Sequence, residues 1–214
     1  MELFEYKKTI GQEYWLDKNI YIDEKSVVAD GVKLGRNVVV INSVVSTGAE
    51  IKWNSVVENA TVKENSKIMS SQIEDSVIGA NSTVGPFARI RNNVIIGENA
   101  RIGNFVEIKN AILGSGCKVA HLAYIGDASL GRNCNVGCGV VFCNYNGAVK
   151  QRTEVGNDVF IGSNVNLIAP VIIGDGAYIA AGSTVNKDVN EDDFVIARAR
   201  QEIKKNFKNP YKNH

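Results

Sequence analysis

Apolar residues recur at every sixth position over long stretches of this chain. The clearest series comprises Ile78, Val84, Ile90, Ile96, Ile102 and Ile108. A period of six matches neither an amphipathic helix nor an alternating strand, and it is typical of the hexapeptide repeat of a parallel β-helix. The pattern therefore predicts an all-β solenoid of stacked coils, which we place at residues 28–189.

The two ends of the chain lack this six-residue beat. Residues 1–27 are rich in aromatic side chains, which predicts an N-terminal cap over the open edge of the first coil. Residues 190–214 begin with an acidic turn and then become basic. We expect an irregular or partly helical tail there, either solvated or in contact with an anionic ligand.

Seven extra residues interrupt the beat between Phe142 and Val155. The interruption predicts a loop extruded from the coils at about residues 143–154. Loops on rigid scaffolds commonly carry function, although such an insertion can also be neutral.

His121 is the only histidine apart from His214. Imidazole titrates near neutral pH, as a general base must, but a single histidine can equally be structural. A zinc site with three histidine ligands is excluded, because the chain has only two histidines.

Arg91 and Lys109 are separated by 18 residues. Since three six-residue faces make one coil, both side chains are expected on the same face of successive coils. Stacked cations repel, so the pair suits an anion such as phosphate lying across both. The alternative is that both side chains point into solvent.

The composition restricts which classes of partner the protein is expected to bind. The formal net charge is +1, with 24 basic and 23 acidic residues, so no global field favours nucleic acid. No apolar run approaches the roughly 18 residues that span a bilayer, and we expect a cytoplasmic protein without a signal peptide.

The four cysteines, Cys117, Cys134, Cys138 and Cys143, lack the paired CxxC spacing of structural zinc sites. Zinc or disulfides are therefore not favoured, and no bound metal is expected. Cys117 and Cys134 are predicted to be small core residues.

Several longer strings are more specific than the repeat. They are GPFARIR, GNFVEIKNA, AHLAYIGDASLGRNCNVGCG, FCNYNGAVK, VGNDVFIGSNVNLIAPVIIG and YIAAGSTVNKDV. Over about residues 77–201 the chain resembles the acetyltransferase half of the bacterial bifunctional glucosamine-1-phosphate acetyltransferase and uridyltransferase family. The resemblance implies a left-handed β-helix, a homotrimer with active sites between subunits, and acetyl-CoA as acyl donor.

The resemblance also implies a role for individual residues. His121 corresponds to the base that deprotonates the sugar amine, and Arg91 and Lys109 to the sugar-phosphate contacts. The residues that correspond to sugar-orienting positions are Tyr124, Asn135 and Lys150. Those at acetyl-CoA positions are Cys138, Asn144, Tyr145, Ser163, Ala181 and Arg198, with the backbone amide of Cys138 as a donor to the oxyanion.

The chain departs from the family pattern at several points. It carries no nucleotide-transferring domain, so we expect no UDP-sugar synthesis from UTP. Cys138 stands where the family usually has Ala, Asn146 replaces an Asp, and ARARQ (residues 197–201) replaces a typical SRVPQ.

The expected activity is N-acetylation of an amino-sugar 1-phosphate, either glucosamine or galactosamine 1-phosphate, for cell-envelope polysaccharide precursors. Two alternatives stay open: acylation of a nucleotide-linked amino sugar, and a catalytically idle solenoid that serves as an assembly subunit.

Overall fold

Short strands follow one another at the six-residue beat, and each pairs with the strand one coil away. A computed structural model describes residues 2–207. Its first elements are β1 (Phe4–Glu5), α1 (Gln12–Asp17), β2 (Ile20–Ile22), β3 (Val27–Val28), β4 (Lys33–Leu34), β5 (Val38–Ile41), β6 (Val44–Val45), β7 (Glu50–Ile51), β8 (Val56–Glu58), β9 (Thr61–Val62) and β10 (Lys67–Ile68). They continue with β11 (Gln72–Glu74), β12 (Val77–Ile78), β13 (Thr83–Val84), β14 (Arg89–Arg91), β15 (Ile95–Ile96), β16 (Arg101–Asn104), β17 (Glu107–Leu113), β18 (Lys118–His121) and β19 (Tyr124–Leu130). The last are β20 (Asn135–Val136), β21 (Val141–Cys143), β22 (Thr153–Val155), β23 (Phe160–Ile161), β24 (Asn166–Ile168), β25 (Val171–Ile173), β26 (Tyr178–Ile179), β27 (Thr184–Val185) and β28 (Phe194–Val195).

Each full coil contributes a strand to three faces. Face A is an 11-stranded sheet in which β1 lies antiparallel to β4 and is followed by β7, β10, β13, β16, β18, β20, β23, β26 and β28. Face B contains β2, β5, β8, β11, β14, β21, β24 and β27, and face C contains β3, β6, β9, β12, β15, β22 and β25. The long strands β17 and β19 run around the corner from face B to face C. The predicted left-handed parallel β-helix is confirmed.

The core is a column of inward side chains from all three faces. The six isoleucines and valines of the clearest repeat series are at most 2% exposed. Cys117 and Cys134 are fully buried, as predicted, and their thiols donate to the carbonyl oxygens of Gly131 and Gly156. Neighbouring coils lie about 4.8 Å apart, so each coil buries its apolar residues only against its neighbours.

Asparagine and aspartate turn the chain at many corners, because they tolerate positive φ better than most residues. Their side chains also bond from coil to coil. Asn37 donates to Asn54 over 2.8 Å, and Asn42 donates to Asn59 over 2.8 Å. These ladders keep the coils in register along the solenoid.

The coils extend beyond both predicted boundaries. They begin at β2, not at residue 28, because Ile20 and Ile22 are buried and pair in parallel with β5. The cap before β2 is held by Trp15, which is 1% exposed and stacks on Tyr6 at 5.2 Å. At the other end β28 pairs with β26, so the last strand lies beyond residue 189.

The acidic turn interrupts the six-residue repeat just before β28. The periodicity of the sequence therefore did not predict this last strand. Residues 196–207 contain no helix. Residues 208–214 of the predicted tail lie outside the described residues.

Candidate active site

Face A meets face B at a corner that carries unusual residues. The chain turns there at Phe87, Phe105 and Leu122 on three successive coils, with φ values of 60°, 56° and 43°. Bulky side chains rarely adopt positive φ, and these three are 56–60% exposed. Backbone strain of this kind clusters at functional sites, which makes this corner the first candidate.

The residues just before the turn form a column along the solenoid. Backbone pairing sets His121 beside Asn104, and the same register carried forward sets Cys138 beside His121 and Ser163 beside Cys138. Bonds from Gly139 N to Leu122 O and from Asn164 N to Cys138 O, 2.9 and 2.8 Å long, fix these neighbours. We call this set the corner column.

The corner column continues toward the C-terminus. β23 pairs in register with β26, and Ser163 and Ala181 each lie two residues after the last residue of these strands. Ala181 therefore occupies the position of Ser163 one coil later. Arg198 lies beside the next turn, where its Cδ would be 3.7 Å from a Cβ added at Gly182. Four predicted acyl-donor residues and the candidate base therefore share one edge of the solenoid.

His121 is exposed, and its orientation is set by Asn104. The imidazole Nδ1 lies 2.9 Å from Asn104 Oδ1. An amide oxygen only accepts, so Nδ1 carries the proton and Nε2 keeps a free lone pair. Such a tautomer is ready to accept a proton, as a general base must.

Face B carries charged groups that lie toward its corner with face C. Arg91 and Lys109 are in register on successive coils, which confirms their predicted stacking. The sequence did not indicate that Glu107 bonds to Arg91, with Nη2–Oε1 and Nε–Oε1 distances of 2.6 and 2.9 Å. This carboxylate offsets part of the repulsion between the two cations. Glu107 is also in register with Tyr124 on the following coil.

Lys150 comes from the extruded segment to the side of Lys109. The adjacent Lys150 side chain lowers the pKa of Lys109, followed by desolvation and by the charges of Lys150 and Arg91, whereas the charge of Asp127 acts to raise it. Two adjacent ammonium groups form a site where an anion relieves their repulsion. Both residues were predicted contacts of the sugar.

Asp127 supplies the balancing charge and was missed from the sequence. Its side chain is 9% exposed and accepts amide bonds from Asn110, 2.5 Å, and from Asn144. Burial acts to raise the pKa of Asp127, but these two bonds with the charges of Lys109 and Lys150 lower it overall. The carboxylate is therefore ionised and joins the coil to the extruded segment.

The extruded segment is a small hairpin, 144–152, slightly shorter than the predicted 143–154. Its base closes through Gln151 N to Asn144 O, 2.8 Å, and through an antiparallel bridge between Tyr145 and Lys150. Asn146 Oδ1 accepts the amides of the two residues that follow Gly147, at 3.0 and 2.9 Å. Asn146, which stands in place of the family's aspartate, therefore shapes the turn through its amide oxygen.

Asn144 and Tyr145 differ in accessibility. Asn144 is 7% exposed and its amide nitrogen also lies 3.5 Å from the Tyr124 hydroxyl, whereas Tyr145 is 59% exposed and bonds to Gly147 O over 2.7 Å. Asn144 therefore holds Tyr124 and Asp127 in place, and Tyr145 is the freer of the two to meet a ligand.

Asn135 lies apart from the charged cluster. It begins β20 on face A, between Lys118 and Phe160, three residues before Cys138. The structure brings it near the corner column and away from Arg91 and Lys109 on face B.

Two features are absent from residues 2–207. No group of three or more His, Cys, Asp or Glu side chains there could hold a metal ion. No helix in the same range is long and apolar enough to cross a membrane.

The chain is similar to known proteins both in its repeat and over most of its length. The family model described as bacterial transferase hexapeptide (six repeats) matches residues 75–110 and 152–187. The bifunctional protein GlmU of Pseudomonas putida (strain GB-1) is 44% identical over 95% of this chain and 41% of its own length. That of Clostridium novyi (strain NT) is 56% identical over 63% of this chain and 30% of its own length. The chain thus spans well under half the length of these relatives.

Solved structures show the same fold. The UDP-N-acetylglucosamine acyltransferase of Francisella novicida superposes with a TM-score of 0.59 and 21% identity, covering 84% of this chain and 65% of that one. The Arabidopsis enzyme of the same name gives a TM-score of 0.54 and 18% identity, covering 81% and 68%. At this identity the likeness concerns the fold alone. Its repeats, its relatives and its coils together show that the chain belongs to the hexapeptide-repeat family of bacterial transferases.

Proposed function

We propose that this protein is an acetyl-CoA-dependent N-acetyltransferase for an amino-sugar 1-phosphate. The observation that carries the proposal is His121, whose Nε2 is free because Nδ1 is bound to Asn104, on the coils that carry Lys109 and Tyr124 on face B. The similarity to bifunctional GlmU proteins, and the hexapeptide transferase family itself, support an acyltransferase. An idle solenoid needs neither the histidine nor the cationic hairpin.

His121 activates the acceptor. An amino sugar carries an ammonium group near neutral pH, and an ammonium has no lone pair to attack a carbonyl. Nε2 of His121 takes one proton, and the free amine attacks the thioester carbon. The nitrogen of the tetrahedral intermediate releases its second proton to solvent, and the intermediate collapses with loss of the CoA thiolate, which takes up the proton from the imidazolium. In this scheme the backbone amide of Cys138 is the donor to the oxyanion.

The cations on face B and the hairpin bind the sugar phosphate. Lys109 and Lys150 offer ammonium groups whose mutual repulsion an anion removes, and Arg91 offers the guanidinium N–H groups that Glu107 leaves free. Tyr124, whose hydroxyl is held by the Asn144 amide, orients the sugar between phosphate and base.

The corner column receives the acyl donor. Cys138, Ser163 and Ala181 lie on successive coils about 4.8 Å apart, so their edge runs parallel to an extended pantetheine arm. Tyr145 and Arg198 flank this edge, and Arg198 supplies charge for the CoA phosphates. The alternative donor, acyl carrier protein, would present the same arm without the adenosine phosphates.

We also propose a homotrimer in which a second copy completes the site. The exposed rings of Phe87 and Phe105 stack at 5.5 Å and, with Leu122, form an apolar strip beside His121. Burial of such a strip is favourable, and neighbouring subunits are the occupant that the family resemblance implies. Light scattering on the purified chain measures the assembly mass, and Phe105→Asp is expected to reduce it. A wild-type chain that elutes as a monomer would contradict this part.

The activity test measures thiol release from acetyl-CoA. The acceptor panel contains glucosamine 1-phosphate, galactosamine 1-phosphate, glucosamine, and a UDP-linked amino sugar. The wild type is expected to prefer a 1-phosphate, and His121→Ala should lower kcat/KM by roughly 10²–10⁴-fold. Lys63→Gln, a change at an exposed lysine remote from the corner, is the control for nonspecific effects. Equal rates in wild type and His121→Ala, or no thiol release with any acceptor, would overturn the proposal.

A further inference from the structure

A cavity of about 400 Å³ is lined jointly by the N-terminal cap and the first coil. Its aromatic wall consists of Tyr6 and Trp15 from the cap and Tyr21 from β2. Such a volume falls in the range of small-molecule pockets, which combine apolar walls with a few polar groups. The cavity is separate from the candidate active site, because β2 and β14, the strand of Arg91, are four coils apart on face B, roughly 19 Å along the axis.

The charged groups of this cavity are acidic. Asp23 and Glu24 both line it, and within residues 2–207 no basic side chain does. Neither carboxylate forms a salt bridge in that part of the chain. The charge of Lys25 is only the smallest of several influences on the pKa of Asp23. The wall therefore carries negative charge that no neighbouring cation pairs.

Half of the Asp23 carboxylate is open. Oδ1 accepts the hydroxyl of Ser26 and the backbone N–H of Asn42, the latter at 3.0 Å, whereas Oδ2 has no hydrogen-bond partner in the described chain. The bond from Ser26 lowers the pKa of Asp23 most and burial acts to raise it, with a net shift downward, so the group is ionised near neutral pH. Gln12 Nε2 likewise donates to Ile22 O over 3.1 Å and leaves Oε1 as an open acceptor.

Trp15 adds an unmet donor to the same wall. Its side chain is 1% exposed, and Nε1 is buried without a hydrogen-bond partner among the described residues. Buried polar groups are nearly always paired, so this N–H calls for an acceptor. The ring itself is held firmly, because Tyr6 stacks on it at 5.2 Å and Tyr14 packs edge-on at 5.0 Å.

We propose that this cavity binds an organic amine that carries hydroxyl groups and no anionic group, as an unphosphorylated amino sugar does. The carboxylates of Asp23 and Glu24 hold the ammonium, a ligand oxygen accepts the N–H of Trp15, and the apolar face of the ligand packs on the aromatic wall. A phosphate or carboxylate on the ligand would meet like charge in this wall, which is unfavourable. The site thus has the opposite charge preference to the cationic cluster on face B, and it goes beyond the proposed function.

The test uses the two tryptophans of the chain. In Trp53→Phe the remaining indole is that of Trp15, so its emission reports on the cavity wall. Titration of the full chain with glucosamine at pH 7 should give a saturable change in emission, and isothermal titration calorimetry on the wild type should give the same affinity. Glucose, which has a hydroxyl in place of the ammonium, and glucosamine 1-phosphate, which adds an anion, should each bind on the order of tenfold more weakly or worse.

Asp23→Asn in the same background locates the binding. It keeps the oxygen that accepts the Ser26 and Asn42 groups but removes the charge, so affinity for glucosamine should fall on the order of tenfold. Glu64→Gln, at an exposed carboxylate remote from the cap, is the matched control and should bind as its parent does. Circular dichroism checks that each variant is folded.

Three results would overturn the inference. They are equal affinity for glucosamine and glucose, tighter binding of the 1-phosphate in the emission titration, and neither emission change nor heat with glucosamine. Equal affinity in a folded Asp23→Asn would do so as well. The ligand panel needs no variant at position 23, so it stays decisive if that variant does not fold. No acyl donor is present, so the outcome is independent of whether the protein transfers acetyl groups.

Discussion

Replacement of Asp127 by asparagine tests how the hairpin is attached to the coils. The carboxylate accepts one amide on each oxygen, from Asn110 and from Asn144. An asparagine has a single acceptor oxygen, so one of the two donors must lose its partner at a position that is 9% exposed. An unpaired buried donor costs about 1–3 kcal/mol, and we expect Asp127→Asn to lower the free energy of unfolding by that amount.

Asp75 provides a matched control. It occupies the same corner between faces B and C three coils earlier, also with positive φ, and it accepts a single amide, from Asn59 at 3.1 Å. Asparagine at position 75 keeps that acceptor and is exposed, so Asp75→Asn should change stability by less than about 0.5 kcal/mol.

The difference between wild type and Asp127→Asn should depend on pH. Burial raises the pKa of Asp127, but the bonds from Asn110 and Asn144 lower it overall below the ordinary value of 3.8. The contribution of the carboxylate is therefore fully present above pH 3.8 and is lost as pH falls through the folded-state pKa. The protonated acid resembles asparagine, with one acceptor oxygen.

The assay is equilibrium unfolding in urea, followed by circular dichroism, at pH 7 and at several values down to pH 3. We expect a lower midpoint for Asp127→Asn at pH 7 and a shrinking gap toward pH 3. Equal losses in Asp127→Asn and Asp75→Asn, or a gap independent of pH, would refute the attribution to the two amide bonds.

Three further predictions concern catalysis. Asn104→Ala removes the hydrogen bond that fixes the imidazole tautomer, so kcat should fall about tenfold for a loss near 1.4 kcal/mol, with KM for acetyl-CoA unchanged. Lys109→Gln should raise KM for a phosphorylated acceptor and not for glucosamine, whereas Lys63→Gln should change neither; a uniform effect on both acceptors would argue against an anion site. In Gly126→Ala the new Cβ would lie 2.7 Å from Tyr124 Cζ and from Asn144 Nδ2, so both side chains must shift. We expect kcat/KM to fall with little loss of stability. Gly11→Ala is the control, because a Cβ there meets nothing within 4 Å, and it should match wild type.

The sequence predicted the solenoid because inward residues at a fixed interval are a direct signature of stacked coils. The same arithmetic placed Arg91 beside Lys109, which are 18 residues apart. It also placed Cys117 and Cys134 in the core, since both fall on inward positions of the repeat.

The contacts across coils were harder to predict. Asn104 and His121 are 17 residues apart, because one step of five residues separates them, so a search at intervals of 18 misses the pair. Glu107 and Asp127 carry no distinctive motif of their own, and their roles depend on which side chain lies one coil above or below. A scan that follows the actual step lengths, and not a constant interval, would have aligned them.

The hairpin enters and leaves the solenoid without shifting the coils beyond it. Cys138 and Ser163 are neighbours across one coil although 25 residues separate them, whereas His121 and Cys138 are neighbours at 17. The tip at Gly147 has open space around it. Residues added there would lengthen a surface arm and leave every rung in place, whereas a single residue added within a strand would turn inward side chains outward for the rest of that rung. Such proteins therefore have room to acquire new specificity by growth at one point of one turn while the scaffold stays unchanged.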